Sequence, residues 1–177
     1  MSEISFQKAY FATGCFWGAE RRFWKLDGVV GTSVGYMGGT RPNPSYEQVC
    51  TGTTNHAEAV EVIFDPSKIT YQQLLEEFWT MHDPTSLNRQ GGDIGTQYRS
   101  AIFTTNDEQM ISAVNTREIY NDVLKPQGFG DIVTEIQEAA PHTYWPAEEY
   151  HQRYLEKNPN GYDCHSSTGI AFPKVKG

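Results

Sequence analysis

The stretch Lys8-Ala9-Tyr10-Phe11-Ala12-Thr13-Gly14-Cys15-Phe16-Trp17-Gly18-Ala19-Glu20-Arg21-Arg22-Phe23-Trp24-Lys25-Leu26-Asp27-Gly28 changes its period at the centre. Residues 8–13 read as a short strand, after which Phe16, Ala19, Phe23 and Leu26 recur at steps of three, four and three, one face of a helix. Gly14 permits the tight turn between them and Gly28 supplies the stop. A strand that runs straight into a helix is the first half of a β-α-β unit.

Outward from it, residues 29–34 are a β-branched strand, and the Gly/Pro-rich loop 38–44 is long enough to be functional rather than connective. A further strand over 58–64 is closed by Asp65-Pro66. Thr70-x-x-Gln73 is a capping box opening a helix with Tyr71, Leu74, Leu75 and Phe78 on one face. After a polar segment over 82–95 come a strand over 99–104, a second box at Thr105-x-x-Glu108 with a helix to about Lys125, and an edge strand over 133–137. Pro146 opens a predicted last helix through Lys157, which Asn158-Pro159-Asn160-Gly161 stops. The order β-α-β, β-α-β predicts an α+β fold of the ferredoxin-like two-layer sandwich type (an α/β plait), with a C-terminal helical and coil extension. A single domain over 1–177 is expected, its tail flexible from about 158.

The 177 residues carry 14 Lys+Arg against 22 Asp+Glu, a net charge of −8 with no basic cluster, which argues against nucleic acid or an anionic membrane surface as partner. The longest apolar run, Ala9-Tyr10-Phe11-Ala12, is far below the roughly 18 residues that span a bilayer, and the first residues do not read as an export signal. A cytoplasmic location is expected. The three cysteines, Cys15, Cys50 and Cys164, are too few and too scattered for a disulfide framework.

Cys15 stands where a strand turns into a helix, so unpaired N–H groups and the positive helix end favour its thiolate and are expected to lower its pKa from the ordinary value of about 8.5. Phe16 and Trp17 beside it offer an apolar wall for a small group such as a thioether methyl. Cys15-x5-Arg21 also has the spacing of a phosphatase cysteine loop. Bulky Phe16 and Trp17, acidic Glu20 and the net charge of −8 weigh against a phosphate dianion there. A non-catalytic thiol protein binding zinc through Cys164 and His165 is a further alternative, disfavoured by the absence of any C-x2-C or H-x3-H pair.

Gly14-Cys15-Phe16-Trp17-Gly18 resembles the signature of the A-type peptide methionine-S-sulfoxide reductases. Gly35-Tyr36-x-Gly38-Gly39, Tyr46-x-x-Val49-Cys50, Thr54-Asn55-His56-Ala57-Glu58, His82-Asp83-Pro84-Thr85, Asn88-Arg89-Gln90-Gly91 and Asp93-x-Gly95-x-Gln97-Tyr98-Arg99-Ser100 resemble that family's later blocks, in order. The resemblance implies reduction of methionine S-sulfoxide, free or in proteins, with no metal or bound cofactor. It implies Cys15 as nucleophile, Glu58 as the acid that protonates the sulfoxide oxygen, Tyr46 and Tyr98 as phenol donors, and Asp93 as a carboxylate arranging the pocket. Glu58 shares strand parity with the apolar Val60, Val62 and Phe64, where desolvation raises a carboxyl pKa; a strand-end glutamate facing water is the plainer reading of the residue alone. The resemblance further implies that Cys164 condenses with a sulfenic acid on Cys15, and that thioredoxin or a similar dithiol reopens the disulfide. Cys50 is read as a buried bystander and His56 as structural. Asn55 replaces the family's usual glycine, which its tolerance of left-handed backbone allows. The roles expected from these readings are protein repair in the oxidative stress response, in a monomer.

Overall fold

A computed structural model describes residues 5–163 and 167–173. Its elements are β1 (Gln7–Thr13), α1 (Phe16–Trp24), β2 (Val29–Met37), α2 (Tyr46–Cys50), β3 (Ala57–Phe64), α3 (Tyr71–Met81), β4 (Arg89–Gln90), β5 (Asp93–Ile94), β6 (Ser100–Thr104), α4 (Asp107–Leu124), β7 (Glu135–Glu138), β8 (Trp145–Pro146) and α5 (Tyr154–Lys157). The sheet order is β7-β6-β1-β3-β2-β8. Its four central strands β6-β1-β3-β2 are antiparallel to one another and, with α1 and α3, are the βαββαβ plait expected from the sequence. At one edge β7 adds parallel to β6, and at the other β8 pairs with β2.

Alternation along the strands divides the two faces. Ala9 and Phe11 of β1, Val60, Val62 and Phe64 of β3 and Ile102 of β6 share a buried cluster with Phe16, Ala19 and Phe23 of α1 and Leu74, Leu75 and Phe78 of α3. Phe11 stacks on Phe23 at 5.0 Å between centroids and lies 5.3 Å from Phe78, so one strand residue joins both helices. The opposite face holds a smaller cluster of Ala12, Met37, Ala57, Ala59, Ala101 and Phe103. At Gly35 the β8 edge approaches so closely that a Cβ would stand 2.5 Å from the Trp145 carbonyl oxygen.

Three expectations about elements change. Helix α4 is capped by Asn106, whose side chain accepts from the Gln109 N–H at 2.8 Å; the Thr105 hydroxyl is taken up by the Lys8 carbonyl instead. The helix expected from Pro146 to Lys157 is broken up. Pro146 lies in the edge strand opposite Gly35, and Arg153 adopts φ 50 with its N–H given to the Glu20 carboxylate, which leaves a 3-10 turn over Glu149–His151 and an α-helix of just Tyr154–Lys157. The tail expected to be loose is tied down where it is described, with the Tyr120 hydroxyl bonded to the Ile170 carbonyl at 2.6 Å and Phe172 stacked on Tyr120.

Candidate active site

Glu58 is the second residue of β3 and faces the helices, which brings its carboxyl under the first turn of α1. There Oε1 accepts the Phe16 backbone N–H at 3.1 Å, and the residue is 2% exposed. Burial pushes its pKa up to about 8, against the pull of that N–H, so the carboxyl is protonated at neutral pH. The parity reading that buries Glu58 therefore holds, and the water-facing alternative does not.

Cys15 is the N-cap residue of α1, partly buried, with Gly14 before it at φ 106 making the turn. Its pKa moves opposite to the sequence expectation. Burial, and next the neighbouring Glu58, hold the thiol well above its ordinary range, while the Trp17 and Gly18 N–H groups pull it down without prevailing. The helix terminus contributes as expected; the missing quantity was the desolvation around it. Thiol and carboxyl thus form a pair of adjacent acids, both protonated at rest.

Three further predicted residues gather on this pair. Tyr46 opens α2, Tyr98 ends the 3-10 turn after β5, and both phenols are raised, chiefly by burial and also by Glu58, so they remain hydrogen-bond donors at any physiological pH. Asp93 on β5 accepts the Tyr162 hydroxyl at 3.1 Å through Oδ1, and its buried Oδ2 takes no hydrogen bond among the described residues. Gly91-Gly92 turns the β4-β5 hairpin that presents it. Phe16 is 1% exposed within the core, so of the two flanking aromatics Trp17 is the one that retains open surface. Cys164 lies outside the described residues.

Cys50 is a correction: it is exposed, not buried, at the end of α2. Burial raises its thiol pKa, and the Tyr46 phenol, one helical turn earlier, pulls the other way. His56 fits its structural reading. Nδ1 accepts the Gly39 N–H at 3.0 Å and Nε2 donates to the Arg41 carbonyl at 2.7 Å, pinning the glycine-rich loop, while Asn55 takes the left-handed φ of 60.

The sequence reading missed the support behind Trp17 and Tyr46. Trp17 stacks on Tyr154 at 3.8 Å and donates Nε1–H to His151 Nδ1 at 3.1 Å; His151 also lies 4.6 Å from the Tyr46 ring. Glu148 accepts the Tyr36 hydroxyl at 2.8 Å and the Tyr46 N–H at 2.9 Å, fastening α2 to β2. A signal was present: Trp17, Glu20, Arg21 and Trp24 form a second i, i+3, i+4, i+7 stripe on α1, and such a stripe needs a covering partner.

The phosphatase spacing is not used as one. The Phe16 N–H, which a phosphate loop would aim at its anion, is bonded to Glu58, and Arg21 is ion-paired with Asp163. The family described as peptide methionine sulfoxide reductase matches residues 7–176. A peptide methionine sulfoxide reductase of Vibrio vulnificus is 54% identical over 167 residues, 94% of this chain and 79% of its own length. Among solved structures, methionine sulfoxide reductase A of Corynebacterium diphtheriae superposes with a TM-score of 0.88 at 46% identity, covering 98% of this chain and 85% of its own. Mxr1 of Saccharomyces cerevisiae in its reduced form gives 0.84 at 36% identity, covering 94% of each chain. Sequence and backbone agree along almost the whole length, and the chain belongs to the peptide methionine sulfoxide reductase family, A type, whose activity is the reduction of methionine S-sulfoxide.

Proposed function

We propose that Cys15 attacks the sulfoxide sulfur while Glu58 protonates the departing oxygen. The observation that carries this reading is the buried, protonated Glu58 held by the N–H of the residue next to the nucleophile. A sulfoxide is a poor electrophile until its oxygen is protonated or strongly hydrogen-bonded, and an adjacent neutral acid supplies that proton without presenting a negative charge to the sulfur nucleophile. The high thiol pKa fits the same scheme: Cys15 loses its proton as the oxygen gains one from Glu58, and the thiol proton restores the acid. The oxygen then passes from the substrate sulfur to Cys15 Sγ: the substrate S–O bond and the transient bond between the two sulfurs break, an Sγ–OH bond forms, the substrate sulfur leaves as the thioether reduced by two electrons, and Cys15 is left oxidised by two electrons as a sulfenic acid. Tyr46 and Tyr98 donate to the developing oxyanion, Asp93 arranges the pocket, and Trp17, backed by Phe16, walls the methyl group.

Cys164 then attacks the sulfenic acid, forming a Cys15–Cys164 disulfide and releasing water. A dithiol reductant such as thioredoxin reopens it; the yeast relative Mxr1 has been solved in complex with Trx2. This assigns the chain to the repair of oxidised proteins and free methionine sulfoxide under oxidative stress, as a single-domain cytoplasmic monomer. Excess methionine sulfoxide followed by mass spectrometry tests the route. The expected product is a Cys15–Cys164 disulfide with Cys50 still a thiol; any other pairing overturns the resolving role. Cys164→Ser is expected to form one methionine per enzyme and then stop, and sustained turnover with thioredoxin in that variant has the same consequence.

A further inference from the structure

Downstream of Cys15 the Phe16 N–H is bonded to Glu58, and upstream of it β1 is held in the sheet as far as Thr13, opposite Ser100. Between these two fixed points lies Gly14 at φ 106, with the widest backbone freedom of any residue type. What meets it is the side chain of Gln90. A Cβ on Gly14 would stand 2.8 Å from Gln90 Cγ and 2.9 Å from Gln90 Cβ, so the methylenes of Gln90 fill the space beside the turn. Gln90 belongs to β4 and is 3% exposed. Its far end is held as well: Oε1 accepts the Asp83 N–H at 3.0 Å, and Nε2 donates to the Asp83 carbonyl at 2.7 Å. Asp83 follows the C-cap of α3, and its own Oδ1 accepts the Thr85 N–H at 2.9 Å and the Thr85 hydroxyl at 2.6 Å. A glutamine pinned at both amide atoms to one backbone residue is a stiff strut.

From this geometry we infer that Gln90 is a positioning residue for the nucleophile: clamped to Asp83, its methylenes form the abutment against which the Gly14 turn rests, and so set where the Cys15 thiol stands beside Glu58. The inference rests on the reading of Cys15 as the nucleophile. Gln90 also pairs with Asp93 across the hairpin, so the same clamp holds the strand that carries the pocket carboxylate. The work of the strut is alignment. A nucleophile must approach its target to about 3–3.5 Å with orbitals aligned, and a misplacement of roughly 1 Å can cost 10²-fold. Without the abutment Gly14 is free to swing and carries the thiol with it. Trp17, Tyr46 and Tyr98 stand on α1, α2 and the 3-10 turn, so the pocket that receives the substrate keeps its walls.

Rapid-quench measurement of the methionine burst on the full chain, over a range of methionine sulfoxide concentrations, separates alignment from binding. Gln90→Ala, which removes clamp and abutment together, is expected to lower the burst rate at saturation about tenfold, with the half-saturating concentration within about twofold of wild type. Gln90→Met, which keeps the methylenes and gives up the amide, is expected to recover to within about threefold of the wild-type rate. Tyr120→Phe, which removes the hydroxyl bonded to the Ile170 carbonyl on α4, measures what lost stability alone does: a lower melting temperature with a wild-type burst. A saturated burst at the wild-type rate in either Gln90 variant overturns the proposal. So does a loss confined to the half-saturating concentration, a loss that Tyr120→Phe reproduces, or a Gln90→Met burst no faster than that of Gln90→Ala. Melting curves show whether Gln90→Ala folds; where it does not, Gln90→Met decides, its slowed burst supporting the strut and a wild-type burst overturning it. If Cys15→Ser still forms methionine, it is the nucleophile assignment that fails.

Discussion

Two thiols, Cys15 and Cys50, lie at opposite ends of their helices. Cys15 opens α1, partly buried, facing the N–H groups of Trp17 and Gly18 with the protonated Glu58 beside it. Cys50 closes α2, exposed, where the helix end disfavours an anion and the Tyr46 phenol one turn earlier is the group that eases its ionisation. Burial raises both pKa values. By accessibility alone Cys50 is the better nucleophile. The difference between them is proton supply: Cys15, the nucleophile proposed above, is the thiol with a protonated acid beside it.

Exchanging the thiols is the harshest test of that contrast. Cys15→Ser is expected to abolish methionine formation from methionine sulfoxide, with Cys50 unable to substitute; residual turnover through Cys50 would erase the distinction. Removing the acid comes next. Glu58→Ala is expected to lower the rate of the methionine burst by about 10²–10⁴-fold. The pH profile sharpens the same point. Glu58 must be protonated to act, so the wild-type burst should be level below its pKa of about 8 and fall about tenfold per unit above it, a limb that Glu58→Gln removes. Retention of that limb in Glu58→Gln would assign it to another group. Tyr46→Phe and Tyr98→Phe should each cost roughly 10–10²-fold in the same burst, since one donor remains to the oxyanion in either variant. Cys50→Ser should change neither burst nor cycling by more than about twofold, as expected of an exposed side chain outside the reaction.

Local rules carried the plait, because every core element repeats a clear period: Phe16, Ala19 and Phe23 face the sheet, and Val60, Val62 and Phe64 alternate inward from Glu58. Long-range competition decided what the sequence left ambiguous. Thr105 and Asn106 are both N-cap residue types, Asn the stronger, and the Lys8 carbonyl on a neighbouring strand reinforces the choice by taking the threonine hydroxyl. Pro146 is a good helix opener until Gly35 offers it a strand edge. Helix α2 carries the same kind of box as α3, Ser45-x-x-Gln48, but five residues are too few to show a period. At the site, the residues beside Cys15 and Glu58 were legible in short motifs. His151, Tyr154 and Glu148 were not, because their meaning depends on lying under α1 and α2, a fact of packing with no local signature. The thiol pKa failed for the same reason: a helix start is visible in the letters, the depth at which it is buried is not.

The wall behind Trp17 also has a consequence for biosynthesis. His151 is 134 residues downstream of the indole it receives. At roughly 5–20 residues per second of synthesis, about 7–27 seconds pass after Trp17 is made before that partner exists. During this interval the strand, turn and first helix turn are already specified, but the indole that is to face substrate has nothing to stack on. The surroundings of Trp17 are therefore completed only by a segment made 134 residues later, and a ribosome that stalls before His151 leaves the indole without its stacking and hydrogen-bond partners.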